Sequence, residues 1–244
     1  LCARPHAAVD LHFDPIFIRR CAACGFRFAD PVYDAEAITE LYKSGYEGAR
    51  HAQGQKINGD INVGLLKRIL PGDARGDVLD VGSGFGFLAA TLNQTTGLSV
   101  SGVELSDAER RFAMDELGVP TYGDLADIPE GKRFQVVTAF EVIEHIADPA
   151  GFLRALVDLV DDGGLLVIGT DNFECRAVQR LGRGFPKWVP HQHISCFHPA
   201  SLERLIGEAP ELSITRRMSY TPWEFTARAG LHALTGGRKG GRVF

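Results

Sequence analysis

Several things are scarce in this sequence, and each scarcity excludes something. None of its 244 residues belongs to a run approaching the roughly 20 apolar residues that a membrane span requires, so a spanning helix is excluded. Positive charge is not in excess: 26 Lys and Arg against 31 Asp and Glu leave a formal charge of −5. That balance argues against a general nucleic-acid surface, and the basic stretch 228–242 reads as a solvated tail. The chain opens without a basic-then-apolar signal pattern, which makes a cytoplasmic protein the expectation. Five cysteines are an odd number, and three of them crowd toward the N-terminus, unlike a disulfide framework. Internal repeats and Pro/Ser-rich linkers are lacking too. The first residues, Leu1-Cys2, lack a Met and the last are Arg242-Val243-Phe244, so further residues are expected at both ends.

What is present is glycine, 28 of 244 residues, against a usual share of about 7%. The excess is aperiodic, which excludes collagen and points to tight turns. A prior of roughly 150 residues per domain gives one to two domains, long enough for a sizeable core without staples.

Residues 1–34 carry Cys, His, aromatics and Arg with little helical periodicity. Apolar positions in 34–46 predict a helix, 47–60 read as a polar loop or lid, and 61–70 as a second helix ended by Pro71-Gly72. Strand and helix patterns then alternate. Strands are predicted at 77–81, 100–105, 119–122, 135–140 and 165–170. Ser106 with Glu109 forms a capping box, and Asp148-Pro149 opens a helix running to Val160. Such alternation implies a parallel sheet covered on both faces. The rhythm breaks over 173–197, an irregular insertion. A helix at 199–208 and a strand at 212–218 are expected to complete the same sheet.

The strongest chemical signal is Val78-Leu79-Asp80-Val81-Gly82-Ser83-Gly84-Phe85-Gly86. Glycines in a strand-to-helix turn let the backbone approach a ligand closely, at the sheet end where such folds bind. A plain Gly-rich turn is the bland reading. Asp80 two residues before the first Gly, and Glu104 at the end of the next strand, weigh against it, since an acid there can accept from both ribose hydroxyls. A dinucleotide fingerprint wants G-x-G-x-x-G, whereas Phe87 occupies its last Gly position and disfavours a dehydrogenase.

With its D-x-G-x-G-x-G turn the sequence resembles the class I S-adenosylmethionine (SAM)-dependent methyltransferases over about residues 60–220. The resemblance implies a doubly wound α/β fold with a mostly parallel, seven-stranded, Rossmann-like sheet. It implies that Asp80, Gly82, Ser83, Gly84 and Gly86 line the methionine part of SAM, that Glu104 holds the ribose and that Leu105 flanks the adenine. Asp124, after Gly123, matches the acid facing the adenine amino group. Phe140-Glu141-Val142-Ile143-Glu144-His145 matches the segment beside the cofactor and the reacting methyl, with Phe140 and Glu141 as cofactor contacts. Its wording is most similar to the branch holding the ubiquinone-biosynthesis O-methyltransferases. The Asn/Asp-Pro-Pro-aromatic motif of nucleic-acid amino-methyltransferases is absent, so the expected partner is a small-molecule acceptor.

A second signal is Cys21-Ala22-Ala23-Cys24-Gly25, with eighteen residues between Cys2 and Cys21. Two thiolates in C-x-x-C can grip one Zn²⁺, and tetrahedral zinc wants four ligands. Cys2, Cys21 and Cys24 are the candidate ligands, with His6, His12 or a Cys before the first residue as the fourth. Small buried cysteines, or a ribbon that has lost its metal, are the alternatives. An N-terminal segment of this kind resembles that of methyltransferases of modified sugars and secondary metabolites. The expected organisation is therefore a ribbon-like 1–34 followed by a methyltransferase domain, 35–244, with a substrate-shaping insertion near 173–197.

Histidine is the third signal. His145 follows the fourth strand, while His191 and His193 lie in the insertion. A lone His is more often structural, yet imidazole is the side chain best placed to take a proton near neutral pH. His145, His193 and Glu144 are thus the catalytic candidates, with His145 first, for methylation of an acceptor hydroxyl. Tyr42 and Tyr46 are candidate covers over the site, or simply helix packing. A non-catalytic SAM-binding scaffold is the alternative function, because fold alone does not prove activity.

Overall fold

The computed structural model describes residues 7–32, 40, 49–71 and 74–220. The expected helix over 34–46, Tyr42 and Tyr46, Cys2, His6 and the basic tail lie outside these residues, apart from Glu40, which is helical.

Two sheets organise the chain. The larger has five parallel strands: β4 (Arg75–Val81), β5 (Gly97–Val103), β6 (Thr121–Tyr122), β7 (Phe134–Phe140) and β8 (Val160–Gly169). Their order is β6-β5-β4-β7-β8. β4, first in sequence, is therefore central, with β5 on one side and β7 on the other. That reversal of strand order opens a crevice beyond the strands' C-terminal ends, where ligands bind in such folds. The sheet has five strands among the described residues, not seven. Residues 212–218 form no strand: Leu212 and Ile214 are half-buried, but the segment makes no ladder with β8.

The helices follow from local chemistry. α1 (Ala49–Ile69) takes in most of the segment read as a loop. Its buried stripe is Gly59, Asn62, Val63 and Leu66, a helical spacing hidden by two non-apolar members. Gly59 is there because α2 (Phe87–Thr95) passes so close that a Cβ would lie 3.2 Å from Leu88 N. α3 (Asp107–Asp115) begins where the Ser106 hydroxyl accepts from Glu109 N–H. α4 (Pro149–Asp158) begins where the Asp148 carboxylate accepts from Gly151 N–H, with Pro149 at the first helical position. Leu66, Val78, Leu92 and Val100 pack in the core on one face of the sheet; Leu79, Phe134, Val137 and Leu156 pack in a second core.

The smaller sheet is antiparallel, in the order β1-β2-β3-β9. β1 (Ala7–Phe13), β2 (Ile16–Cys21) and β3 (Arg27–Asp30) come from the N-terminal segment, and β9 (Ser195–Cys196) from the insertion. The insertion also holds α5 (Arg176–Leu181), and α6 (Pro199–Ile206) follows it. Ile16, Ile18 and Ala29 share a core with Phe173, Phe185, Trp188 and Ile194, so the N-terminal strands roof the insertion. No helix among the described residues is long and apolar enough to cross a membrane.

Candidate functional site

Two groups of polar side chains meet at the C-terminal edge of the parallel sheet. The first surrounds the glycine turn after β4. Gly82, Gly84 and Gly86 all have positive φ (72°, 53° and 77°). A side chain at Gly82 would strike Val142 Cγ2 at 2.4 Å, so glycine is required by space as well as by backbone. Gly84 N–H donates to Glu104 Oε2 and Ser106 N–H to Glu104 Oε1, both at 2.8 Å. These bonds aim the carboxylate along the crevice from the end of β5. Burial raises the Glu104 pKa against them.

Asp80 is buried at the end of β4, and its Oδ1 accepts from Thr138 Oγ1 at 2.6 Å. Burial pushes its carboxyl up to about 7, opposed by the Thr138 bond and reinforced by the Glu104 charge. Of the other residues expected around SAM, Ser83 is buried, and Leu105 and Phe140 are half-buried. Asp124 is exposed and spends its side chain capping a short 3₁₀ turn through Ala126 N–H.

The second group lies past β7 and β8. Glu141 has φ 56°, a left-handed conformation costly for a side chain of its kind. Lys187, from the insertion, reaches Glu141 Oε2 at 2.7 Å and Asp171 Oδ2 at 3.2 Å. Burial works against the Lys187 ammonium, but the two carboxylates outweigh it and raise its pKa. Glu144 is fully buried; Oε2 accepts from Thr170 Oγ1 at 2.8 Å, while Oε1 has no hydrogen-bond partner among the described residues. Burial, then the Glu141 and Asp171 charges, hold its pKa well above the usual carboxylate range.

The expected histidines do come together. The rings of His145 and His193 are 4.7 Å apart, in edge contact. His145 Nδ1 donates to Gln192 O (3.0 Å), and His193 Nδ1 to Lys187 O (2.9 Å). A carbonyl only accepts, so each Nδ1 carries a proton. Burial lowers both pKa values, that of His193 to about 3 with help from His145. His191 is exposed. Donor atoms of Glu144, His145 and His193 lie within 4.8 Å of one another, as do those of Glu141, Glu144 and Asp171. Both trios have the residue types to hold a divalent cation.

Neither trio includes the N-terminal cysteines. Cys21 is buried and Cys24 half-buried, in a turn joining β2 to β3 through Gly25 N–H to Cys21 O (2.9 Å) and Cys21 N–H to Phe26 O (2.9 Å). His12 is excluded as a ligand beside them. Cys21 pairs with Ala7, whereas His12 pairs with Phe17 and stacks on its ring at 4.5 Å. Five residues of strand put it roughly 17 Å along the ladder.

Sequence reasoning missed Asp171, Lys187, Thr138 and Gln55. Asp171 follows the end of β8 and carried a positional signal, since the crevice collects side chains from strand ends. Lys187 carried none.

A central first strand flanked by its successors, with a glycine turn at its end and an acid on the neighbouring strand, defines a doubly wound cofactor-binding α/β protein. The chain belongs to the methyltransferase-domain family, whose model matches residues 55–209, more than half of its length. It is 32% identical over 170 residues to a ubiquinone biosynthesis O-methyltransferase of Azorhizobium caulinodans, covering 62% of this chain and 66% of that protein. It is 30% identical to one of Xanthomonas axonopodis over 66% of this chain and 72% of that one. The chain thus spans about two thirds of the length of such relatives. Among solved structures, magnesium protoporphyrin IX methyltransferase of Synechocystis, with bound SAH, superposes with a TM-score of 0.55 at 21% identity, over 77% of this chain and 94% of that one. A SAM-dependent methyltransferase of Thermotoga maritima gives 0.54 at 22%, over 71% and 79%. At these identities the two structures establish the fold.

Proposed function

We propose that this protein transfers the methyl group of SAM to an oxygen of a small-molecule acceptor, a hydroxyl of a sugar or secondary metabolite. The observation that carries the reading is the meeting of the glycine turn and Glu104 with the Glu144–His145–His193 group, two of whose members are buried, at one sheet edge. The O-methyltransferase relatives support it. The SAM methyl is already activated on its sulfonium, so the protein's main work is in-line alignment, worth on the order of 7–11 kcal/mol. A hydroxyl nucleophile also has to lose its proton.

His145 is the better base of the two histidines. With a pKa near 3, His193 is a poor proton acceptor at neutral pH. We assign His193 to positioning the His145 ring, and Asp80, Gly82–Gly86 and Glu104 to SAM. The orphaned Glu144 Oε1 favours a second reading of the same trio, as ligands of a divalent cation that would polarise the acceptor oxygen. The Cys21–Cys24 turn is our proposed half of a structural zinc site whose other half is Cys2 and a fourth ligand such as His6.

Calorimetry with SAH tests the cofactor assignment: native protein is expected to bind, and Glu104→Ala to lose at least tenfold in affinity. Failure of the native protein to bind would sink it. Methyl transfer from labelled SAM to hydroxylated acceptors tests the chemistry. His145→Gln is expected to lower kcat about 10²–10⁴-fold with SAH affinity intact. An unchanged kcat removes His145 as the base, and metal analysis of native and His193→Ala protein decides between base and cation.

A further inference from the structure

Above the glycine turn lies a contact that the cofactor residues named so far do not explain. Gln55, on α1, points its Oε1 at the turn, where it accepts from Phe85 N–H at 2.9 Å. Its Nε2 donates to Glu109 Oε2 on α3 at 3.1 Å and lies 2.8 Å from His51 Nε2, one helical turn back. His51 Nε2 in turn lies 3.1 Å from Glu109 Oε1. Glu109 is buried, a costly place for a carboxylate that only packs. The fit over the turn is tight: a Cβ at Gly84 would lie 2.0 Å from Gln55 Oε1. Gly84 is the residue whose N–H holds Glu104, so the amide covers the very peptide that aims the ribose acid.

We infer that Gln55, anchored by Glu109, is a positioning residue for the cofactor: it clamps the glycine turn in the shape that presents Glu104 and the turn's inner surface to SAM. The physical need is plain. Three residues of positive φ within five leave a turn with many accessible backbone states, and freezing them on binding would cost affinity. An amide fixed at both ends meets that cost in advance. The partners also decide its orientation, because Glu109 accepts only, so Nε2 faces Glu109 and Oε1 faces the Phe85 N–H. The bonds of the clamp run to the glycine turn at Phe85 and to α3 at Glu109, so it acts on cofactor affinity and not on the acceptor side.

The inference rests on the SAM assignment, and the test separates the two. Gln55→Leu keeps the side-chain volume and the helix but removes every hydrogen bond. It is expected to raise the SAH Kd and the SAM KM together, about five- to twentyfold, with kcat at saturating SAM, acceptor KM and melting temperature unchanged. Gln55→Glu keeps an acceptor for Phe85 but sets a second carboxylate against Glu109, and is expected to weaken SAH binding at least as much. His51→Gln probes the same anchor if Gln55→Leu does not fold. SAH binding within twofold of native in these variants overturns the clamp, as does a fall in kcat with Kd unchanged. Native protein that fails to bind SAH at all overturns the cofactor assignment instead.

Discussion

Asp80 shows how one residue binds folding to function. Its carboxyl is buried and faces the Glu104 charge, and although it accepts from Thr138 Oγ1 it is held near 7 instead of 3.8. A folded-state pKa above the unfolded one means that the folded form binds more protons between those values. The stabilisation is present below pH 3.8 and lost as pH rises to about 7. Asp80→Asn keeps a hydrogen-bonding partner for Thr138 and removes the ionisation. It is expected to be more stable than native protein at pH 8, by on the order of 1–4 kcal/mol, and no more stable at pH 4. Thermal melts at the two pH values check this; equal differences at both would show that Asp80 does not titrate in this range. Asp80, Glu104 and the glycines were legible in the sequence because a strand end followed by a Gly-rich turn is a local pattern. Asp124 matched a family position equally well, yet its side chain caps a turn. A motif fixes where a residue sits, and the neighbours decide what its atoms do.

Among elements, those with their own start signals were readable. α4 was announced by Asp148-Pro149, and the capping carboxylate is where it was expected. Asp148→Ala is expected to cost about 1 kcal/mol, read as a lower melting temperature with SAH affinity unchanged. α1 was legible only in its second half. Over 51–60 it packs through Gly59, which admits α2, and through Gln55 and His51, which bond to Glu109 and Phe85. A helix that packs through glycine and amides leaves no apolar stripe to find. The expected strand over 212–218 fails for the opposite reason: alternation was present, but a strand exists only by pairing, and no partner edge meets it among the described residues.

For the molecule as a whole, the two sheets depend on each other. β3 pairs with β9 across 166 residues of sequence, Arg27 opposite Cys196 and Phe28 opposite Ser195. Ile16 and Ile18 help to bury Phe173, Phe185 and Trp188 of the insertion that supplies Lys187 and His193. Removing residues 1–32 would bare that apolar surface. Limited proteolysis is expected to cut the shortened protein within 173–197, with loss of the acceptor-side chemistry and retention of SAH binding. Resistance of that segment to cleavage would show that the insertion holds itself.

The amino-acid sequence by itself determined the parallel α/β core, the glycine turn and the candidate histidines, because periodicity, capping and turn chemistry act over a few residues. Tertiary structure alone decided the number of strands in the sheet, the β3–β9 pairing, the Gln55 clamp and the Lys187 bridge between Glu141 and Asp171. Each of these joins residues distant in the chain, and long-range contacts are selected by burial and charge pairing, which leave no spacing rule in the sequence.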